Sequence, residues 1–139
     1  MIGLDTNVLL RWLIDDPRLG DDAAGQGASA AAVLGGAQEK IFVNRIVLAE
    51  MAWVLRRRLR LARSEVLAVV EGLITAVGVD IEDEPIVRDA LEGFRRGPGD
   101  FADHLVGAVN AANGCRTTYT FDRAASKTGY FSPLPVTKA

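Results

Sequence analysis

MIGLDTNVLLRWL, residues 1–13, opens the chain with a short apolar run that stops at an acid and turns at once into a helical pattern. Ile2, Gly3 and Leu4 read as a strand, and Asp5 ends it. Thr6 or Asn7 is placed to cap a helix, and Val8, Leu9, Trp12 and Leu13 recur at helical spacing. A strand feeding directly into a helix is the first half of a βα unit. Such units build parallel sheets covered by helices.

The same punctuation repeats downstream. Ile41-Phe42-Val43 reads as a second strand, followed by a helix from about Ile46 to Leu59. A third helix starts near Ser64 and sets Val66, Val70, Leu73 and Val77 on one face, with Gly78 ending it. Val79 to Ile81 is a third strand. Pro85 suits the first turn of the next helix, whose inward stripe is Ile86, Ala90, Leu91 and Phe94. Gly97-Pro98-Gly99 closes that unit, Asp100 caps a helix running to Asn113, and Gly114 suits a left-handed C-terminal cap. A fourth strand is expected at Thr117 to Thr120 and a short edge strand at Leu134-Pro135-Val136. The alanine- and glycine-rich stretch 20–36 is most helical over 28–34, although each interior glycine costs about 1 kcal/mol. The expected fold is α/β: residues 1–139 as one domain, an α/β/α sandwich with a central parallel sheet of four to five short strands.

Composition narrows the function. At 139 residues the chain is long enough for a real core, and a mean hydropathy of +0.14 leaves apolar surface that another chain is expected to cover. Apolar runs fall far short of the roughly 20 residues that span a bilayer. No basic leader precedes the first strand, so the expected location is the cytoplasm. Cys115 is the only cysteine and His104 the only histidine, which excludes an internal disulfide and argues against a structural zinc site. Any metal must be held by oxygen.

Four acids stand in stretches that otherwise read as buried: Asp5, Glu50 in IVLAEMAWVL, Asp103 in DFADHLVGAVNAANG, and Asp122 in TTYTFDR. A carboxylate taken out of water needs a counter-charge. In an open α/β sheet, ligands bind beyond the carboxyl ends of the strands, and Asp5 and Asp122 fall at such ends. Two carboxylates about 4 Å apart repel by roughly 4 kcal/mol at an effective dielectric of 20, and a divalent cation reverses the sign. All-oxygen ligation selects Mg²⁺, with Mn²⁺ as an alternative, and carboxylate-held Mg²⁺ points to phosphoryl chemistry. Asp5 and Asp103 are then expected as direct ligands, Asp122 as a further or water-mediated ligand, and Glu50 as a ligand or an orienter of the attacking water. Thr6, Asn7 and Thr120 are placed to hold these groups. Each aspartate also has a local alternative: Asp5 and Asp103 at helix starts, Asp122 in an Asx turn. Asp100 is either a fifth acid or a helix cap, and His104 either a base or a packed ring.

The net charge of −2 does not advertise nucleic-acid binding. Its distribution does, because Arg56, Arg57, Arg58, Arg60 and Arg63 form a basic run, with Arg95 and Arg96 as a lesser one. Arg56, Arg57 and Arg60 are the candidate phosphate contacts, against the plainer reading of arginines complementing a helix C-terminus.

With these residues on the page, the sequence resembles the PIN-domain family, and within it the VapC-type toxin ribonucleases of bacterial toxin–antitoxin pairs. LDTNVLL at 4–10, VLAEMAWVL at 47–55, DFADHLVGAVNAANGC at 100–115 and TFDR at 120–123 match the family's four motifs in order. The resemblance implies a magnesium-dependent endoribonuclease whose acidic quartet is Asp5, Glu50, Asp103 and Asp122. It further implies a homodimer inhibited by a small antitoxin, with Trp12 and Trp53 as candidate contacts. Two rivals start from the same residues. A haloacid-dehalogenase-type phosphatase needs a second acid two positions after the first, where Asn7 stands. A non-catalytic PIN-like binding or regulatory protein keeps the acids for a structural ion.

Overall fold

The computed structural model describes residues 1–14, 16–19 and 39–135. The expected helix at 28–34 lies outside them. Among the described residues helices are interspersed with five short strands, all paired in parallel, as the βα reading requires. The strands form two sheets of three and two, and the chain divides at Glu82/Asp83 into two units.

The first unit, Met1–Glu82, carries β1 (Ile2–Gly3), α1 (Thr6–Leu13), β2 (Ile41–Val43), α2 (Arg45–Trp53), α3 (Arg63–Thr75) and β3 (Val79–Ile81). Strand order is β1-β2-β3, with Ile2 opposite Ile41, Ile41 opposite Val79 and Val43 opposite Ile81. Leu9 and Leu10 of α1, Leu48 and Met51 of α2, and Val66, Val70 and Leu73 of α3 are buried with Val43. Each such side chain contributes about 1.5–3 kcal/mol. Val77 departs from the expected stripe because α3 ends at Thr75, leaving Val77 fully exposed. The cap of α1 is Asp5, not Thr6 or Asn7: the Asp5 carboxylate accepts the Thr6 N–H at 2.7 Å.

The helix expected over 46–59 is in two parts. Asn44 starts α2 by accepting the Val47 N–H at 2.8 Å. After Trp53 the chain widens into a π-helical turn, Val54–Arg58, in which the Leu59 N–H reaches back to the Val54 carbonyl. The wider turn keeps Leu55 and Leu59 buried while the backbone leaves the helix through Arg60 in left-handed conformation, φ +54°. Arg18 braces this exit, chelating Asp16 through two nitrogens and donating to the Leu59 carbonyl at 2.8 Å.

The second unit, from Asp83, carries α4 (Glu84–Arg96), α5 (Phe101–Ala112), β4 (Thr118–Thr120) and β5 (Phe131–Pro133). The buried stripe of α4 is Val87, Ala90, Leu91 and Phe94; Ile86, expected there, is only half-buried. Phe94 meets Phe101 edge-to-face at 6.1 Å. Gly107 lets α5 close onto Tyr130 and Phe131, where any Cβ would collide. The edge strand expected at 134–136 lies earlier, at Phe131–Pro133, because the Thr118↔Phe131 register is set by the Thr118 N–H bonding to the Tyr130 carbonyl; Val136 is outside the described residues. Gly114 takes φ +90° after α5, as its position suggested.

Candidate functional site

Each unit holds two of the four predicted acids. In the first, Asp5 follows β1 by two residues, so the strand end delivers it to the start of α1, where its carbonyl also accepts the Leu9 N–H. Its carboxylate is solvent-exposed and one oxygen is engaged by the Thr6 N–H. Thr6 is buried, and its hydroxyl has no hydrogen-bond partner among the described residues. Asn7 is exposed.

Glu50 occupies the outward face of α2 with Ile46, Trp53 and Arg57, the i, i+4, i+7 and i+11 positions. Ile46 is 70% and Trp53 58% exposed. Trp12, by contrast, is half-buried. The expectation of a buried Glu50 is therefore corrected. Its apolar sequence neighbours Val47, Leu48 and Met51 point to the core, and helical geometry turns Glu50 away from them.

In the second unit Asp103 lies in the first turn of α5, half-buried, and its Oδ2 accepts the Asp100 N–H at 3.0 Å. Asp100 is the cap, so of its two readings the structure bears out the local one. Asp122 follows β4 by two residues, as Asp5 follows β1. It is exposed, its Oδ1 accepting the Ala124 N–H at 2.8 Å and the Ala125 N–H at 3.2 Å. Thr120 steadies the same turn, its hydroxyl accepting the Asp122 N–H at 3.0 Å.

Three of the four acids thus stand in water, and the fourth at its edge. Desolvation does not force a counter-charge on them; their local hydrogen bonds are those of caps and an Asx turn. Among the described residues no three His, Cys, Asp or Glu side chains are gathered into a metal-holding group. In kind, the donors still suit Mg²⁺. They are all carboxylate oxygens, exposed or half-buried, and the hydrogen bonds of Asp5, Asp103 and Asp122 leave the second oxygen of each available.

His104 is no base. It is 2% exposed, its Nε2–H donates to the Pro98 carbonyl at 2.8 Å, and its ring meets Phe94 edge-to-face at 6.4 Å. Gly93 admits the ring: a Cβ there would lie 2.6 Å from Nδ1. The imidazole fastens the Gly97–Gly99 turn to α5. Of the arginine run, Arg56 donates to the Leu61 carbonyl at 2.9 Å and is tied to its own turn, while Arg57, Arg58 and Arg60 are exposed. Sequence reading passed over Tyr119 and Phe121. Their signal was the alternation of TTYTF just before Asp122, which brings out every second side chain.

A model of the PIN domain family matches residues 2–129. A VapC ribonuclease of Aquifex aeolicus (strain VF5) is 26% identical over 97 residues, covering 70% of this chain and 72% of that protein. Among solved structures, Mycobacterium tuberculosis VapC20, described as a sarcin-ricin-loop-cleaving toxin, aligns at 20% identity and a TM-score of 0.43. That alignment covers 97% of this chain and 100% of the other. Among the described residues no helix is long and apolar enough to cross a membrane.

Proposed function

Since the chain belongs to the PIN domain family, we propose that it is an RNA-cleaving toxin: a metal-dependent endoribonuclease, restrained by a cognate antitoxin and acting in the cytoplasm as a homodimer. The observation that carries this reading is the family match across residues 2–129, within which all four acids of the quartet are present. The likeness to a protein named as a VapC ribonuclease supports it, and the all-oxygen donor set supports Mg²⁺, or Mn²⁺, as the ion.

In this proposal Asp5 and Asp103 would hold the ion, Asp122 would add a direct or water-mediated contact, and Glu50 would either hold the ion or orient the attacking water. When bound, the ion supplies charge neutralisation at the phosphate and a more acidic water. The protein's own work is positional. The start of α1 fixes Asp5, the cap with Asp100 fixes Asp103, and the turn after β4, held by Thr120, fixes Asp122. Thr6 and Asn7 support the Asp5 end. Arg57 and Arg60, with Arg56 at the root of the turn, give the phosphate backbone a positive surface.

The test is RNA cleavage by purified protein with Mg²⁺ or Mn²⁺, with EDTA, and with Asp5→Asn and Asp103→Asn. Both amides keep an oxygen to accept the N–H now bonded to the carboxylate, so the folds survive. Cleavage should vanish in EDTA and fall by more than about 100-fold in each variant. Metal-independent cleavage, or full activity in both variants, would remove the mechanism.

A further inference from the structure

We infer that Phe121 and Tyr119 form a base-stacking platform for single-stranded RNA beside Asp122; the inference rests on the ribonuclease reading above and names how that site grips its substrate. Along β4 and into the residue after it the side chains alternate, Thr118 and Thr120 half-buried, Tyr119 and Phe121 exposed. Phe121 is 89% exposed and Tyr119 50%. The other aromatic rings of this unit are treated differently: Phe94 and Phe101 are closed into the core, and Tyr130 and Phe131 pack on Gly107. A phenylalanine held in water gives up the burial that stabilises those rings.

Nor is the exposure a product of a slack loop. The Thr120 hydroxyl takes the Asp122 N–H, the Asp122 carboxylate takes the Ala124 and Ala125 N–H groups, and Thr118 and Thr120 are paired to β5. The backbone that carries Phe121 is fastened on both sides, so the ring is presented from a fixed stem.

Charge selects the partner. Arg116 and Arg123 flank the two rings in the chain and Lys127 follows on a turn packed against β4, all three exposed, with Asp122 beside Phe121. None of the three cations forms an ion pair among the described residues, and Arg116 reaches only the Tyr119 hydroxyl, at 3.5 Å. On α4, by contrast, Arg88 is matched with Glu84 and Arg96 with Glu92. Aromatic faces interleaved with unmatched cations are the chemistry of a single-stranded nucleic acid, whose bases stack in any sequence while its phosphates meet the cations. Placement one residue before Asp122 sets a stacked base next to an acid of the proposed centre.

The experiment uses a labelled short oligoadenylate and the Asp103→Asn background with Mg²⁺, so that the probe is held and not cut. Phe121→Ala should weaken binding about 5- to 150-fold. Phe121→Leu, apolar but without a π face, should lose a similar amount, whereas Phe121→Tyr should stay within about 2-fold of the parent. Tyr119→Ala should weaken binding to a lesser degree. A 2-aminopurine placed in the probe should be quenched by the parent and not by Phe121→Leu. Binding by Phe121→Leu equal to the parent, absent quenching, or no oligoadenylate binding by a protein that cleaves RNA would each overturn the inference. So would unchanged RNA binding together with lost capture of purified antitoxin, which would assign the rings to a protein partner. If the wild type neither binds nor cleaves RNA, the ribonuclease reading itself fails. If it cleaves while the Phe121 variants match it, only the platform is lost.

Discussion

Gly107 sits inside α5, where alanine should be better by about 1 kcal/mol on helix propensity alone. The structure predicts the opposite. A Cβ built at Gly107 would lie 2.4 Å from the Tyr130 Cβ and 2.8 Å from both the Tyr130 Cγ and the Phe131 Cε2. Ordinary carbon contacts are about 3.5–4.0 Å, so the overlap is about 1 Å or more. The Tyr130 Cβ is bonded to its backbone and cannot rotate aside, so relief requires β5 to move off α5. Overpacking of this kind costs up to about 3 kcal/mol, which leaves Gly107→Ala destabilised by about 2 kcal/mol after the helix gain. For a chain of this length that is a fall in Tm of about 6–8 °C. Gly72 is the control: it is exposed, and a Cβ there meets nothing within 4 Å. Gly72→Ala should therefore raise Tm by about 3 °C. Calorimetry or circular dichroism on the two variants settles the matter. Gly107→Ala melting at or above wild type would refute the close approach of α5 to Tyr130, and with it the account of how the helix carrying Asp103 is seated.

Three further outcomes are expected. His104→Ala should destabilise the protein by about 3 kcal/mol in urea unfolding, because it empties a buried site and orphans the Pro98 carbonyl. His104→Gln, if folded, should cleave RNA within a few-fold of wild type; a collapse of kcat would return the ring to the chemistry. The Arg18 guanidinium hydrogen-bonded to Asp16 holds that carboxyl below its usual range. The folded chain thus resists the proton that the unfolded chain takes up near pH 4, and this share of stability is lost only as pH falls through the lower folded value. Asp16→Asn should flatten the fall of the urea midpoint below about pH 4, and an unchanged slope would deny the pair any role. Replacing Arg57 and Arg60 by glutamine should reduce the slope of log K against log salt for RNA by about 0.7 per lost phosphate contact; an unaltered slope would leave both side chains in solvent.

How far the primary structure was legible can be judged element by element. The strand ends at Asp5 and Asp122 were readable because a short β-prone run stopping at an acid is a local signal, and the structure places both two residues past a strand. The stripe of α3 was readable for the same reason, up to the point where the helix stops. The π-helical turn was not. Leu55 and Leu59 carry the same apolar signal for an α-helix, and the wider turn goes with the exit through Arg60 and the Arg18 contact with the Leu59 carbonyl, which comes from a distant segment. Glu50 was misjudged as buried because its sequence neighbours are apolar, while exposure depends on which side of α2 faces α1. His104 was ambiguous until Gly93 and Pro98 came to either side of it.

By itself, then, the sequence determined the succession of helices and parallel strands and the family to which the chain belongs, since periodicity and motif order are carried along the chain. Tertiary structure decided which side chains meet water: it turned Glu50, Trp53 and Phe121 outward and drew His104 in. Burial is a property of what packs against a residue, and the partners that pack are set by elements distant in the chain.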